Sequence, residues 1–324
     1  MQKSLIALAV LGAFAGAASA QSSVTIYGKL DLAIGKPVLT EDKQVMDNTG
    51  SRLGFRGVED LGGGLKAVFG IEHRFNPDTG TQANPNFWNG YSTVGLVTQF
   101  GMINLGRQYT PAFIMMQNQI DPFGGDTVAA GRDIGMRFSR SSGATAVTTS
   151  RVRVADSIRY DLSIAGFNFG ASIAEGAGNA IPTDADLKKP VSLAANYAAG
   201  PIWVGVGYEN GADADDKVWN IGGRYNFGFM TLAAGYGRGT TNTDADAKGW
   251  LVGVTVPVGA FDLKAMYATN DVDGLGELKK AGIGAHYNLS KRTKIFADVA
   301  KIGGSATIGQ ESKNGYDLGI QHNF

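Results

Sequence analysis

Apolar and polar side chains alternate along most of this chain, in runs of about ten residues that are separated by turns or polar loops. The first run has its apolar positions at Val24, Ile26, Leu30 and Leu32, and its polar positions at Thr25, Tyr27, Lys29 and Asp31. Alternation with a period of two is typical of a β-strand whose two faces meet different surroundings. The chain is therefore predicted to be all-β.

Sixteen such runs follow one another. They cover approximately residues 23–35, 51–60, 65–75, 90–100, 102–109, 154–163, 167–175, 190–199, 201–210, 217–227, 229–238, 248–258, 260–269, 278–289, 292–301 and 314–324. Short turns, such as residues 61–64, alternate with long polar stretches, such as residues 76–89. This alternation predicts a sixteen-stranded antiparallel transmembrane β-barrel, and a barrel of that size encloses an aqueous channel.

A soluble β-sandwich also has alternating strands and is the main alternative fold. Two features weigh against it. The polar face carries charges of both signs and many glycines, which suits a curved, hydrated lumen. Aromatic residues gather near strand ends on the apolar face, among them Tyr225, Phe227, Tyr287 and the terminal Phe324. Such residues mark the two membrane–water interfaces of a barrel, so this placement favours the barrel.

The N-terminal 20 residues contain Lys3, an apolar stretch and the small-residue sequence Ala18-Ser19-Ala20. This is the pattern of a secretory signal peptide, with cleavage expected between Ala20 and Gln21. The alternative is a membrane-spanning helix, which needs roughly 20 apolar residues, more than this stretch provides. Residues 1–20 are therefore predicted to be a signal peptide, and residues 21–324 to form the barrel as one domain.

Composition excludes several classes of function. The 29 Lys and Arg residues balance 29 Asp and Glu, so no basic excess indicates a nucleic-acid partner. The chain has no cysteine, and hence no disulfide or thiolate metal site. Glycine accounts for 47 of the 324 residues, about twice its usual share. Scattered glycines predict bends and close backbone approach in curved sheets. No cofactor is expected.

Five segments of the chain occur in a characteristic order. They are residues 23–31 (SVTIYGKLD), 51–67 (SRLGFRGVEDLGGGLKA), 106–111 (GRQYTP), 156–161 (DSIRYD) and the closing strand that ends at Phe324. In this order and spacing they resemble the trimeric general porins of Gram-negative bacteria, particularly the betaproteobacterial branch. The resemblance covers the whole chain. It implies a homotrimer in the outer membrane, surrounded by lipid and lipopolysaccharide, with a water-filled pore for small hydrophilic solutes and ions.

The resemblance also accounts for the interval from Thr110 to Arg153, which has no counterpart elsewhere in the chain. In such porins the third loop folds inward and narrows the pore. Their terminal aromatic residue is read by the outer-membrane assembly machinery, and this role is expected for Phe324. The closing strand departs from the family, because Gln321 and Asn323 stand where basic residues are frequent. A lower charge is therefore expected near the periplasmic mouth.

Charged side chains at inward-facing positions are the candidate pore-lining residues. Arg56, Arg74 and Arg159 alternate with apolar neighbours and are the leading basic candidates for the pore constriction. The acidic candidates are Asp121 and Asp126 in the third loop. Further lumen-facing candidates are Lys29, Glu72 and Arg224. Arginines that face loop acids set a transverse field across a pore. The alternative is that these are ordinary solvated lumen charges, paired with one another.

Ion preference follows from the balance of charge in the third loop. Its basic residues, Arg132, Arg137, Arg140, Arg151 and Arg153, outnumber its acids. This excess favours passage of anions. A substrate-specific channel is the alternative, but the inward aromatic residues that it needs are few, namely Tyr27, Trp203 and Phe296.

The sequence also disfavours catalysis and metal binding. The histidines are His73, His286 and His322, and no Gly-x-Ser-x-Gly motif accompanies them. No cluster of His or Cys is available to bind a metal ion. The sequence therefore predicts a channel and not an enzyme.

Overall fold

The computed structural model describes residues 22–139, 150–175, 189–210, 216–307 and 312–324. The predicted signal peptide and Arg140 lie outside these residues. Sixteen long strands occur in the described part: β1 Ser23–Lys36, β2 Arg52–Gly62, β3 Leu65–Asn76, β4 Tyr91–Thr98, β5 Gly101–Tyr109, β6 Arg153–Ile164, β7 Phe167–Ala174, β8 Val191–Ala199, β9 Ile202–Asn210, β10 Lys217–Asn226, β11 Thr231–Thr240, β12 Asp246–Val258, β13 Phe261–Val272, β14 Gly276–Asn288, β15 Thr293–Gly303 and β16 Asn314–Asn323.

Each strand pairs antiparallel with the next, and β1 pairs with both β2 and β16. The pairing of the first and last strands extends over eight residues of β1. Lys29 lies opposite Asn323 at one end, and Lys36 lies opposite Tyr316 at the other. This pairing closes the sheet, so the sixteen-stranded barrel predicted from the sequence is confirmed. No predicted strand end differs from the observed one by more than three residues. Two short strands, Gln44–Met46 and Thr81–Gln82, lie in the long loops that follow β1 and β3.

The outer face of the barrel is apolar and exposed. Ile34 has 69% of its surface exposed, and Leu318 has 59%. Aromatic rings border this face at the short-turn end, where Tyr225 lies 4.5 Å from Phe227. Another aromatic pair lies towards the long-loop end, with 5.6 Å between the rings of Trp219 and Tyr236. An apolar band between two aromatic girdles is the surface that lipid requires.

The third loop contains two short helices. The α1 helix spans Pro111–Met115 and the α2 helix spans Arg132–Gly135, with a 3-10 turn at Gln117–Gln119 between them. Thr110 caps α1, because its hydroxyl accepts a hydrogen bond from the backbone nitrogen of Phe113 at 3.3 Å. Pro111 then fits the first helical position, where no backbone donor is needed. The sequence predicted only a long loop here. No helix in the described residues is long and apolar enough to span a membrane.

The third loop packs against the inner face of the barrel wall. The buried cluster has its loop side at Met116, Ile120, Phe123, Ala129, Ile134 and Met136, and its wall side at Trp203, Ala233, Leu251, Met266, Ala268, Leu278 and Ile302. The wall residues alternate with exposed, outward-facing ones, for example Leu251 between Trp250 and Val252. The main apolar core of this barrel therefore lies between the loop and one side of the wall.

Inward-facing glycines allow this close approach. A Cβ atom at Gly222 would lie 2.7 Å from Ile120 of the loop, and one at Gly253 would lie 2.5 Å from Pro122. Atoms separated by such distances overlap, so a larger residue on the wall would displace the loop. Part of the glycine excess in the composition therefore has a packing reason.

We predict that Gly253→Ala destabilises the protein. The new methyl group overlaps the Pro122 ring, and overpacking of this kind costs about 1–3 kcal/mol of unfolding free energy. Thermal unfolding in detergent, followed by circular dichroism, measures the effect. Gly303→Ala is the matched control, since its Cβ would meet no atom within 4 Å. The control is expected to be neutral or slightly stabilising, and equal losses in the two variants would contradict the packing argument.

Candidate functional site

A cavity of about 510 Å³ lies between the third loop and the wall formed by the first strands. Its charged lining consists of Lys29, Arg52, Arg74, Arg132, Arg137 and Arg153 on the basic side, and of Asp126 and Asp133 on the acidic side. Six cations thus face two carboxylates. The apolar part of the loop packs on other strands, across the barrel from this cavity.

Three of the cations lie side by side on adjacent strands. Lys29 on β1 is directly opposite Arg52 on β2, and Arg52 is directly opposite Arg74 on β3. Like charges at directly opposite positions repel each other. The row is therefore stable only where other groups hold each cation.

Backbone carbonyls of the preceding loop hold the two arginines. Arg52 donates to the carbonyl oxygen of Thr49 at 2.6 Å and to that of Gly50 at 3.0 Å. Arg74 donates to the same Gly50 carbonyl at 3.1 Å and forms a 2.8 Å ion pair with Glu72. Fixed acceptors of this kind keep the guanidinium groups at the wall instead of letting them extend into water.

The acidic residue that faces this row is Asp126. Its carboxylate lies 3.7 Å from the Nζ atom of Lys29, across the gap between the loop and β1. Asp126 therefore neutralises part of the row and ties the loop to the first strand by an ion pair.

The loop contributes its own cations. Arg132 donates to the side chain of Asn118 at 2.6 Å and to the carbonyl of Gly124 at 3.0 Å. Asp133 lies 3.0 Å from Arg132 and 2.9 Å from Arg137. Burial alone would raise the pKa of Asp133, but Arg137 and Arg132 outweigh that effect and hold its pKa well below the usual range. Asp133 therefore stays ionised and bridges two arginines.

Asp121, a predicted constriction residue, is placed differently. Its carboxylate accepts hydrogen bonds from the backbone nitrogens of Gly131 and Arg132, both at 2.8 Å, and of Phe123 at 2.9 Å. The side chain is buried and does not line the cavity. Its carboxylate holds the two arms of the loop tip together.

Two predicted arginines lie outside the cavity lining. Arg56 is four residues beyond Arg52 on β2, roughly 13 Å nearer the short turn, and its guanidinium lies 5.2 Å from the ring of Tyr27. Arg159 forms a 2.6 Å ion pair with Asp161. The structure therefore brings Arg74 and Asp126 to the cavity, but not Arg56, Arg159 or Asp121.

The remaining candidates occupy supporting positions. Glu72 is buried and accepts hydrogen bonds from Arg74 and Tyr27. Arg224 lies 4.8 Å from the ring of Trp203. Phe324 pairs with β1 through reciprocal backbone hydrogen bonds to Gly28, of 3.0 and 3.1 Å. That pairing places the terminal residue at the seam between the first and last strands.

Wall side chains anchor the third loop by hydrogen bonds. Asn220 on β10 accepts from the side chain of Gln117 at 2.9 Å and donates to the carbonyl of Met136 at 2.8 Å. One buried amide thus joins the part of the loop before its tip, at Gln117, to the part after its tip, at Met136. Further along the loop, Asp317 on β16 accepts from the backbone nitrogen of Val128 at 2.8 Å. Polar wall residues that do not themselves line the cavity therefore hold the loop in place.

Sequence reasoning missed Arg52 and Tyr109 as lining residues. Arg52 has the same inward parity as Arg56, so the alternation pattern was sufficient to find it. Tyr109 ends β5 directly before the loop, and no local signal shows that its hydroxyl faces the cavity. Within the described residues, no group of three His, Cys, Asp or Glu side chains is placed to bind a metal ion.

A closed barrel with an apolar exterior and a charged lumen, narrowed by an internal loop, defines a channel-forming protein of an outer membrane. The chain belongs to the Gram-negative porin family, whose model matches residues 7–307. It is 30% identical to an outer membrane porin protein of Bordetella pertussis over the full length of both chains. Outer membrane porin protein 32 of Delftia acidovorans is 32% identical, over 99% of this chain and 95% of the relative.

A solved structure shows the same architecture. The anion-selective porin from Comamonas acidovorans matches with a TM-score of 0.78 and 26% sequence identity, over 94% of this chain and all of that one. The resemblance to Gram-negative porins that was inferred from the sequence is thereby confirmed. The protein is an outer-membrane porin, which forms a passive diffusion channel and is not an enzyme.

We predict that Asn220→Ala loosens the third loop. The substitution removes two buried hydrogen bonds, each with a net value of about 1 kcal/mol, and it should increase current fluctuations because the loop arms are no longer joined. Chemical unfolding and single-channel recording measure the two effects. Asn288→Ala is the control, since its amide bonds Asp262 in an exposed position. Similar behaviour of the two variants would show that Asn220 does not anchor the loop.

Proposed function

We propose that this porin prefers anions. The observation that supports the proposal is the cavity lining, in which six cationic side chains face two carboxylates. Guanidinium groups remain charged at every physiological pH. The local excess of positive charge raises the concentration of anions in the passage and lowers that of cations. The solutes would be inorganic anions and small hydrophilic molecules.

The proposed constriction contains Arg74 and Asp126 together with Lys29, Arg52 and the loop arginines. Arg56, Arg159 and Arg224 are proposed as lumen charges outside the narrowest part, and Glu72 as the partner that orients Arg74. Asp121 is proposed to maintain the shape of the loop. This assignment separates the charges that select ions from those that only line the lumen.

The reversal potential under a salt gradient, measured in a planar bilayer, tests this assignment. A unit charge about 7 Å from an ion in water contributes about 0.6 kcal/mol before salt screening. The double variant Arg52→Gln/Arg74→Gln is therefore expected to lower the anion-to-cation permeability ratio by about threefold or more. Arg56→Gln/Arg224→Gln removes the same charge outside the cavity and is expected to change the ratio much less.

Each outcome has a distinct meaning. A wild-type channel without anion preference would overturn the proposed function. Equal effects of the two double variants would keep anion preference but would refute the placement of the constriction. A current that saturates at low salt would instead indicate a substrate-specific channel, which is the alternative function.

We further propose that the mature protein is a homotrimer. The support is membership of the porin family and the resemblance to its trimeric members. Removal of residues 1–20 on export, recognition of Phe324 by the assembly machinery, and contact with lipid and lipopolysaccharide belong to the same proposal. Light scattering of the purified protein in detergent, corrected for bound detergent, is expected to give three times the mass of one chain. A mass of one chain would contradict the trimer.

A further inference from the structure

Two arginines of the cavity share one acceptor, the hydroxyl oxygen of Tyr109. Arg74 on β3 donates to this oxygen at 2.8 Å. Arg153, the first residue of β6, donates to the same oxygen. The guanidinium carbon of Arg153 also lies 4.1 Å from the centre of the Tyr109 ring. Tyr109 therefore holds two like charges together at the cavity wall.

The two arginines depend on Tyr109 to different degrees. Arg74 has further partners in Glu72 and in the carbonyl of Gly50. Arg153 has a buried Nε atom without a hydrogen-bond partner among the described residues. Its side chain is held by the hydroxyl and the ring of Tyr109. Loss of the hydroxyl should therefore displace Arg153 more than Arg74.

Tyr109 is itself held rigidly. Its ring stacks on Phe113 of α1, with 5.5 Å between the ring centres and an angle of 7° between their planes. Arg132 and Arg137 approach the Phe113 ring, at 4.9 and 5.7 Å from its centre. The stacked pair therefore contacts cations of both the wall and the loop. A phenol oxygen can accept two hydrogen bonds, and these two arginines occupy both positions.

We propose that Tyr109 is the positioning residue that keeps Arg153 beside Arg74 at the constriction, and that its hydroxyl thereby sets the strength of the anion preference. This inference rests on the proposed function. Tyr109 is uncharged, so any effect that it has on ion preference must pass through the cations that it holds.

The experiment compares reversal potentials of the wild type, Tyr109→Phe, Arg153→Gln and the double variant. Tyr109→Phe keeps the ring and removes only the hydroxyl. We expect it to lower the anion-to-cation permeability ratio by about twofold, with little change of single-channel conductance. In the Arg153→Gln background the same substitution should have a much smaller effect, because the group that it positions has gone. Tyr160→Phe, which removes a lipid-side hydroxyl bonded to the carbonyl of Phe100, is the control.

The outcomes separate this inference from the proposed function. A wild type without anion preference would overturn both. An anion-preferring wild type with an unchanged ratio in Tyr109→Phe would overturn only the role of Tyr109, as would an equal effect of the substitution with and without Arg153. If Tyr109→Phe fails to fold, Arg153→Lys decides, because it keeps the charge but lacks the planar guanidinium that bonds the Tyr109 hydroxyl and lies on its ring: an unchanged ratio refutes the inference, and a lowered one supports it.

Discussion

Backbone hydrogen bonding in lipid is the constraint on which the rest of this structure depends. A peptide group that faces hydrocarbon has no water to bond, so every strand needs a partner on both sides. The pairing of β1 with β16 meets that need for the two strands that would otherwise be edges. Once the sheet is closed, its outer face must be apolar, and polar side chains can project only into the lumen.

Closure also determines where apolar packing is possible. A barrel of sixteen strands is too wide for its inward side chains to meet across the lumen. The third loop supplies the missing partner, and its methionines, isoleucines and Phe123 pack on one side of the wall. The other side stays open and carries the basic row of Lys29, Arg52 and Arg74. Because the loop packs on only one side of the barrel, that side is apolar and the other side lines the passage with charge.

Much of this fold could be predicted from the sequence, because a period of two residues is a local property of each strand. The same parity placed Arg74 at the wall. It could not distinguish Arg56 from Arg52, since depth along the lumen depends on the register between strands. The surroundings of Asp121 could not be predicted for another reason: a carboxylate in a Pro-Gly turn looks free until the folded loop presents three backbone nitrogens to it. Likewise, nothing local relates Arg74 to Arg153, which are distant in sequence and meet only at Tyr109.

The seam between the first and last strands has a consequence for how the molecule forms. The hydrogen bond from Gln321 to Asp31 joins residues 290 positions apart in the chain. Bringing together the ends of a flexible chain of that length costs about 5 kcal/mol in entropy. Until this cost is met, the intermediate sheet has two unpaired edges that could recruit strands from other chains. We therefore expect the seam to form late and slowly, and aggregation to compete with completion of the barrel.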